Sequence, residues 1–213
     1  MNARRADESR RNVQNDAEPA GRLRAAGLGA FFRPSQMACA GLTRHQIRAL
    51  VRRGVVEHVA RGLYRMADAE PTEDYSLALA SARVPNSVVC LLSALRVYGI
   101  GTQVPAEVWL AIPHKARRPR LPELRLRIVR FSGPAWTFEV RDTEFEGVPA
   151  RITSAARTIV DCFRFERLLG REAAIEALDD GLCQRKVTIA ELARVADVLP
   201  SRRLSAALDL RSI

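Results

Sequence analysis

The stretch GLTRHQIRALVRRGVVEHVARGLYRM, residues 41–66, carries two periods in succession. Ile47, Leu50 and Val51 recur at i, i+3 and i+4, which is one face of a helix. Thr43 suits the N-cap of that helix, and Gln46 three residues later completes a Thr-x-x-Gln capping box. Gly54 stands where a left-handed C-cap is needed. Beyond it the period shortens. Val55–Val59 and Leu63–Met66 read as two strands joined by the loop Ala60-Arg61-Gly62. From Arg33 to Arg65 there are seven arginines and one acid, Glu57, an imbalance that a buried element would not need.

Upstream, Pro34 can open a helix at its first turn, where a missing N–H costs nothing, and Ser35–Ala40 would carry it. Gly41 permits the turn and Leu42 can plug the corner between the two helices. Helix, tight turn, helix and hairpin is the order of a winged helix-turn-helix. With Ile47, Leu50 and Val51 facing the core, Arg44, His45, Arg48 and Arg52 fall on the exposed face. In such domains this helix enters the major groove, where arginine suits the O6/N7 edge of guanine. Thr43 at the helix start joins that set. Arg53, Arg61 at the hairpin tip and Arg65 are expected nearer the phosphate backbone, where they supply affinity without sequence choice.

The whole chain has 213 residues, a formal net charge of +10 and a pI of about 10.6, which favours a polyanionic partner. Residues 1–70 carry a net +6, whereas residues 71–150 and 151–213 carry +2 each, so the basic character lies mainly in the front third. Residues 1–29 are polar at first and strongly charged, and a disordered extension is expected there. Neither a signal peptide nor an apolar run of membrane-spanning length occurs, so a soluble, cytoplasmic protein with no membrane partner is expected. Cys39, Cys90, Cys162 and Cys183 form no CxxC pair and read as reduced, mostly buried residues.

A linker, Asp68-Ala69-Glu70-Pro71-Thr72, separates a front unit over residues 30–70 from a second unit over 71–213. The second unit is expected to be α+β, a small sheet packed by helices. Its expected helices cover 72–83, 87–98, 154–165, 171–183, 188–196 and 201–209. Its expected strands cover 107–112, 124–129, 137–141 and 148–152. The loop Pro113–Pro119 and the segment after it hold a second basic cluster, Lys115, Arg117, Arg118, Arg125 and Arg127. Asp179 and Asp180 are adjacent on a helix, about 100° apart, and read as surface acids rather than metal ligands. Trp109 and Trp136 read as core, with no basic residue placed beside them.

Enzyme signatures are missing. Neither Lys115 nor Lys186 belongs to an acid…Glu-x-Lys nuclease pattern, and there is no Gly-rich phosphate loop, G-x-S-x-G elbow or HExxH. His45, His58 and His114 are far apart. No catalytic residue, metal or cofactor is therefore expected, and a nucleic-acid-modifying enzyme is the third choice among functions.

The segment RPSQMACAGLTRHQIRALVRRGVVEHVARGLYRM resembles the N-terminal winged-helix domain of the AbiEi family of antitoxins. LLSALRVYGIG, the strand VWLAI with its basic loop, and VPARITSAARTIVDCF with its following Thr-Ile-Ala-Glu-Leu helix are similar to the second domain of that family. The resemblance covers roughly residues 30–200. It implies an antitoxin of a type IV toxin–antitoxin system that binds inverted repeats in its own promoter and represses its own operon. The functional partner would be a nucleotidyltransferase-like toxin, held without a stable complex. The second domain is then associated with antitoxicity, with Lys115, Arg117, Arg118, Arg125 and Arg127 as its candidate surface. Arg157 and Asp161, in TSAARTIVD, are expected to be structural. The main alternative is a stand-alone winged-helix transcriptional regulator with no toxin partner.

Overall fold

The computed structural model describes residues 19–26, 28, 30–70 and 72–211. The fold is α+β. The chain divides into two compact units, one formed by Met1–Arg83 with Phe145–Val148 and one by Val84–Glu144 with Pro149–Ile213.

In the front unit, α1 (residues 19–25) buries Ala20 and Leu23. That corrects the expected disordered extension for residues 19–26: Leu23 sits in the same apolar cluster as Phe32, Met37, Leu42, Ile47, Leu50, Val56 and Met66. The rest of the expected extension, residues 1–18, lies outside the described residues. β1 (Phe31–Phe32) is buried, and α2 (Pro34–Cys39) follows with Pro34 in its first turn. Gly41 turns the chain at φ +74°, conformational space that a Cβ would strain, and Leu42 fills the corner with 4% of its surface exposed.

α3 (Arg44–Arg52) starts with both halves of its capping box made. Gln46 N donates to Thr43 Oγ1 at 3.3 Å, and Thr43 N donates to Gln46 Oε1 at 2.9 Å. It ends in a Schellman arrangement. Gly54, at φ +70°, donates to Val51 O, and Val55 N donates to Leu50 O, each at 3.0 Å. β2 (Val56–Ala60) and β3 (Leu63–Met66) then pair antiparallel, with Glu57 opposite Arg65 and His58 opposite Tyr64. β1 adds to the other side of β3, so the sheet order is β1-β3-β2.

α4 (Tyr75–Arg83) groups with this front unit, so the division falls after Arg83 and not at the Asp68–Thr72 linker. The reason is packing: the Tyr75 ring stacks on Phe31, centroids 5.5 Å apart, and α4 contacts β2.

The back unit holds a mixed sheet ordered β6-β5-β4-β8-β7. Its strands are β4 (Val88–Val89), β5 (Val108–Pro113), β6 (Leu126–Phe131), β7 (Val140–Phe145) and β8 (Val148–Thr153). β5 runs parallel to β6 and antiparallel to β4, while β4 runs parallel to β8. Two expectations are corrected here. The helix expected over 87–98 begins only at α5 (Leu91–Tyr98), because Val88 and Val89 are a central strand; an apolar pair entering an apolar helix has no period to betray it. The strand expected over 137–141 is displaced to Val140–Phe145, and a 3₁₀ turn, Gly133–Trp136, takes the place before it.

The remaining helices are α6 (Ala155–Arg164), α7 (Glu166–Leu169), α8 (Arg171–Cys183), α9 (Ile189–Val198) and α10 (Arg202–Asp209). α6 is central and almost wholly buried. α8 approaches it at Gly181, where an added Cβ would lie 2.6 Å from Ile159 Cδ1. Arg157, 0% exposed, donates through Nε to Asp161 at 2.7 Å and through Nη1 and Nη2 to the carbonyls of Phe138 and Ala135. Arg164 donates to the other Asp161 oxygen at 2.7 Å. Burial lifts the Asp161 carboxyl above its ordinary range, and the guanidiniums of Arg157 and Arg164 pull against that shift. Arg157 and Asp161 therefore brace α6 against the segment before β7.

α8 carries carboxylates that cap a turn. Glu176 accepts from Thr102 N at 2.8 Å, from its hydroxyl at 2.5 Å and from Gln103 Nε2 at 3.3 Å. Asp180, half-buried, accepts from Gly101 N at 2.6 Å, and the exposed Asp179 is paired to Arg211. The Thr102 hydroxyl and amide hold Glu176 below the usual carboxylate range. A lowered folded value means the contribution is present above the ordinary glutamate range and is lost as pH falls through the folded value. The stability difference between the parent and Glu176→Gln is therefore expected to shrink as pH falls below that range, measured as denaturant midpoints across acidic buffers. A difference that grows on acidification would contradict the capping role.

Candidate nucleic-acid interface

On α3 the buried and exposed residues separate cleanly. Ile47 and Leu50 are buried and Val51 half-buried, while Arg44, His45, Arg48 and Arg52 are exposed. Arg44, Arg48 and Arg52 stand at i, i+4 and i+8 and so form one stripe, with successive members about 6 Å apart along the axis. No acid lies anywhere on the helix. Thr43 is exposed but its hydroxyl already accepts from Gln46 N and meets Gln46 Oε1, so its first role is to fix the start of the helix. Arg53 is the exposed C-cap residue.

The arginines of the hairpin divide. Arg61 is exposed at the tip, beside Gly62 at φ +67°. Arg65 is not available to a phosphate in the way expected from sequence. It donates to Tyr75 Oη at 2.8 Å and to Ala69 O at 2.7 Å, lies 3.8 Å from Glu57, and sits 4.7 Å from the centre of the Tyr75 ring. Only 11% of its side chain is exposed. Arg65 ties β3 to α4, and its aromatic partner lies ten positions later, beyond a proline linker, where no local pattern announces it. Arg22 and Arg24 are also engaged, with the Gly41 carbonyl and with Asp68. Among the described residues of the front unit, the exposed arginines on or near α3 and the hairpin tip include Arg33, Arg44, Arg48, Arg52, Arg53 and Arg61.

Arg61 makes a clear test. Arg61→Ala is expected to weaken binding to every duplex alike and to flatten the slope of log K against log salt by about one unit. An unchanged slope in anisotropy titrations would remove Arg61 from the interface.

In the back unit, Lys115, Arg117 and Arg118 are exposed on the loop after β5. That loop is pinned by a residue the sequence did not single out. Arg130 Nη1 donates to the carbonyls of Pro113 and Ala116, at 3.3 and 2.9 Å, and to that of His114. Arg125 is exposed just before β6. Arg127 lies 4.0 Å from Glu107 and 5.6 Å from the Trp109 ring centre, so part of its charge is already answered. The two tryptophans were expected to lack basic neighbours. Trp109 is buried as expected, but Arg127 stands over it, and Arg151 stands 4.7 Å over the half-buried Trp136. Cross-strand register, which brings Arg127 opposite Trp109, is what composition could not supply.

Of the cysteines, Cys90 and Cys162 are buried, whereas Cys39 and Cys183 are exposed, which corrects the expectation that most would be buried. Desolvation pushes both buried thiols well above their ordinary range, so neither is a ready thiolate. Among the described residues, no cluster of three or more His, Cys, Asp or Glu could hold a metal ion, and no helix is long and apolar enough to cross a membrane.

No family model matches the chain, and no curated protein sequence matches it. Its fold is similar to that in the crystal structure of the RV2827C protein from Mycobacterium tuberculosis. The TM-score is 0.51 at 18% identity, over 79% of this chain. The chain spans 66% of that protein's length, and at this identity the likeness bears on fold alone.

Proposed function

We propose that this protein is a DNA-binding repressor of its own operon, built on a winged helix-turn-helix, and that it serves as the antitoxin of an AbiE-like type IV system. The observation that carries the reading is the acid-free stripe of Arg44, Arg48 and Arg52 on α3, set opposite buried Ile47 and Leu50. α2 precedes α3 across the Gly41–Leu42 turn, and the β2–β3 hairpin follows it with Arg61 at its tip. In this reading α3 lies in the major groove, with Arg44 and Arg48 toward base edges and Arg52, Arg53 and Arg61 toward phosphates. Each exposed guanidinium presents a fork of donors matched to guanine or phosphate.

The antitoxin role rests on the family resemblance and on the exposed cations Lys115, Arg117, Arg118 and Arg125 of the back unit. A regulator acting without a toxin shares the same DNA surface, so the two readings part only in the cell. Co-expression with an adjacent nucleotidyltransferase-like gene is expected to relieve the growth arrest that gene causes alone. Persistent arrest, with a promoter reporter still repressed, would leave the regulator without the toxin partner. A reporter unaffected by the protein would end the repressor reading.

A further inference from the structure

α7, α8 and α10 surround a cleft of about 320 Å³ at the end of α6, wholly within the back unit. Its apolar lining comes from Phe163 and Ile175 at the inner side, with Ala206, Ala207 and Leu210 toward solvent. Its rim carries three arginines, Arg171, Arg203 and Arg211, against one acid, Glu166. Ala206 and Ala207 keep the α10 wall low, and Leu210 stands at the mouth with 75% of its surface exposed.

The rim arginines are not equally committed. Arg211 is engaged with Asp179 and with the Ala207 carbonyl. Arg203 reaches Glu166 through Nη1, which leaves the rest of its fork of donors. Arg171, at the first position of α8, makes no ion pair among the described residues. The cleft thus couples an apolar lining to a cationic edge with donor capacity left over. Its volume falls at the lower end of the range, about 300–1,000 Å³, that small-molecule sites occupy.

We propose that this cleft binds a small amphipathic carboxylate. The aliphatic or aromatic body lies on Phe163, Ile175 and Ala207, and the carboxylate takes charge-assisted hydrogen bonds from Arg171 and from the remaining donors of Arg203. Apolar burial supplies the affinity and the guanidiniums select the sign of the headgroup. The site is built wholly from back-unit elements and does not depend on the DNA-binding reading.

The test is isothermal titration of the full chain with decanoate, kept below its micelle concentration, and with decylamine as the charge-reversed control. Decanoate is expected to bind saturably at one site per chain and decylamine to bind at least about tenfold more weakly. Arg171→Ala is expected to weaken decanoate by about tenfold or more, and Ala207→Trp, which fills the cleft, to abolish it. Decanoate should also raise the thermal midpoint of the parent but not that of the folded Ala207→Trp variant. Equal binding of decanoate and decylamine, parent-like binding by Arg171→Ala, or no saturable heat with decanoate would each overturn the proposal. If Ala207→Trp fails to fold, Arg171→Ala, at an exposed position, carries the decision alone.

Discussion

Arg157→Ala is expected to destabilise the back unit by roughly 3–5 kcal/mol, a large share of the stability of any domain. The side chain is fully buried and its three nitrogens serve three acceptors: Asp161 and the carbonyls of Phe138 and Ala135. Its guanidinium also lies 5.0 Å from the Phe131 ring centre. Truncation leaves Asp161 with only Arg164, strands the buried Ala135 carbonyl and the part-buried Phe138 carbonyl, and opens a cavity beside Phe131, and each loss acts in the same direction. Arg157→Lys is expected to fail partly, because one ammonium cannot span three acceptors set for a planar fork. Most of the loss comes from groups left unpaired rather than from a large net value of the ion pair. The double change Arg157→Met with Asp161→Leu is therefore expected to be less destabilised than Arg157→Ala alone. Denaturant midpoints at unchanged m-value measure all three. A loss below about 1 kcal/mol for Arg157→Ala, which is the scale of an exposed ion pair, would mean that water reaches the site.

The second large effect belongs to α3. Changing Arg44 and Arg48 together to alanine is expected to cost about 1–3 kcal/mol per residue on the specific duplex, so affinity falls on the order of 10²–10³-fold. On scrambled duplex the loss is smaller, because only charge is removed there. Both side chains are exposed, and the core under the helix is made by Ile47 and Leu50, so thermal stability should stay within about 0.5 kcal/mol of the parent. Equal losses on specific and scrambled duplex would assign both residues to phosphate.

Where local chemistry dictates structure, the sequence was readable. The Thr43–Gln46 capping box, the Gly54 C-cap and the later helices were all legible because caps and apolar period act over a few residues. The exposed stripe of α3 followed from the same period. What escaped depends on contacts distant in sequence. Val88 and Val89 become a central strand only because β5 and β8 flank them. Leu23, flanked by Arg22 and Arg24 in a stretch with no clear apolar period, is buried only by the core assembled downstream. Arg65 looked like its neighbour Arg61 until Tyr75 folded back onto it. Arg130, one of two arginines on β6, acquires its part from the carbonyls of Pro113, His114 and Ala116. In each case the residue type was visible and the partner was not.

The central claim is that the basic face of α3 reads a sequence. The most direct measurement is fluorescence anisotropy of the full chain on the duplex just upstream of its own coding sequence, against a scrambled duplex, at several salt concentrations. The account predicts binding at least ~10³-fold tighter to the upstream duplex at physiological salt, with a preference that survives as salt rises. Equal affinity for the two duplexes, falling together with salt, would contradict it and reduce the arginine stripe to a general polyanion surface.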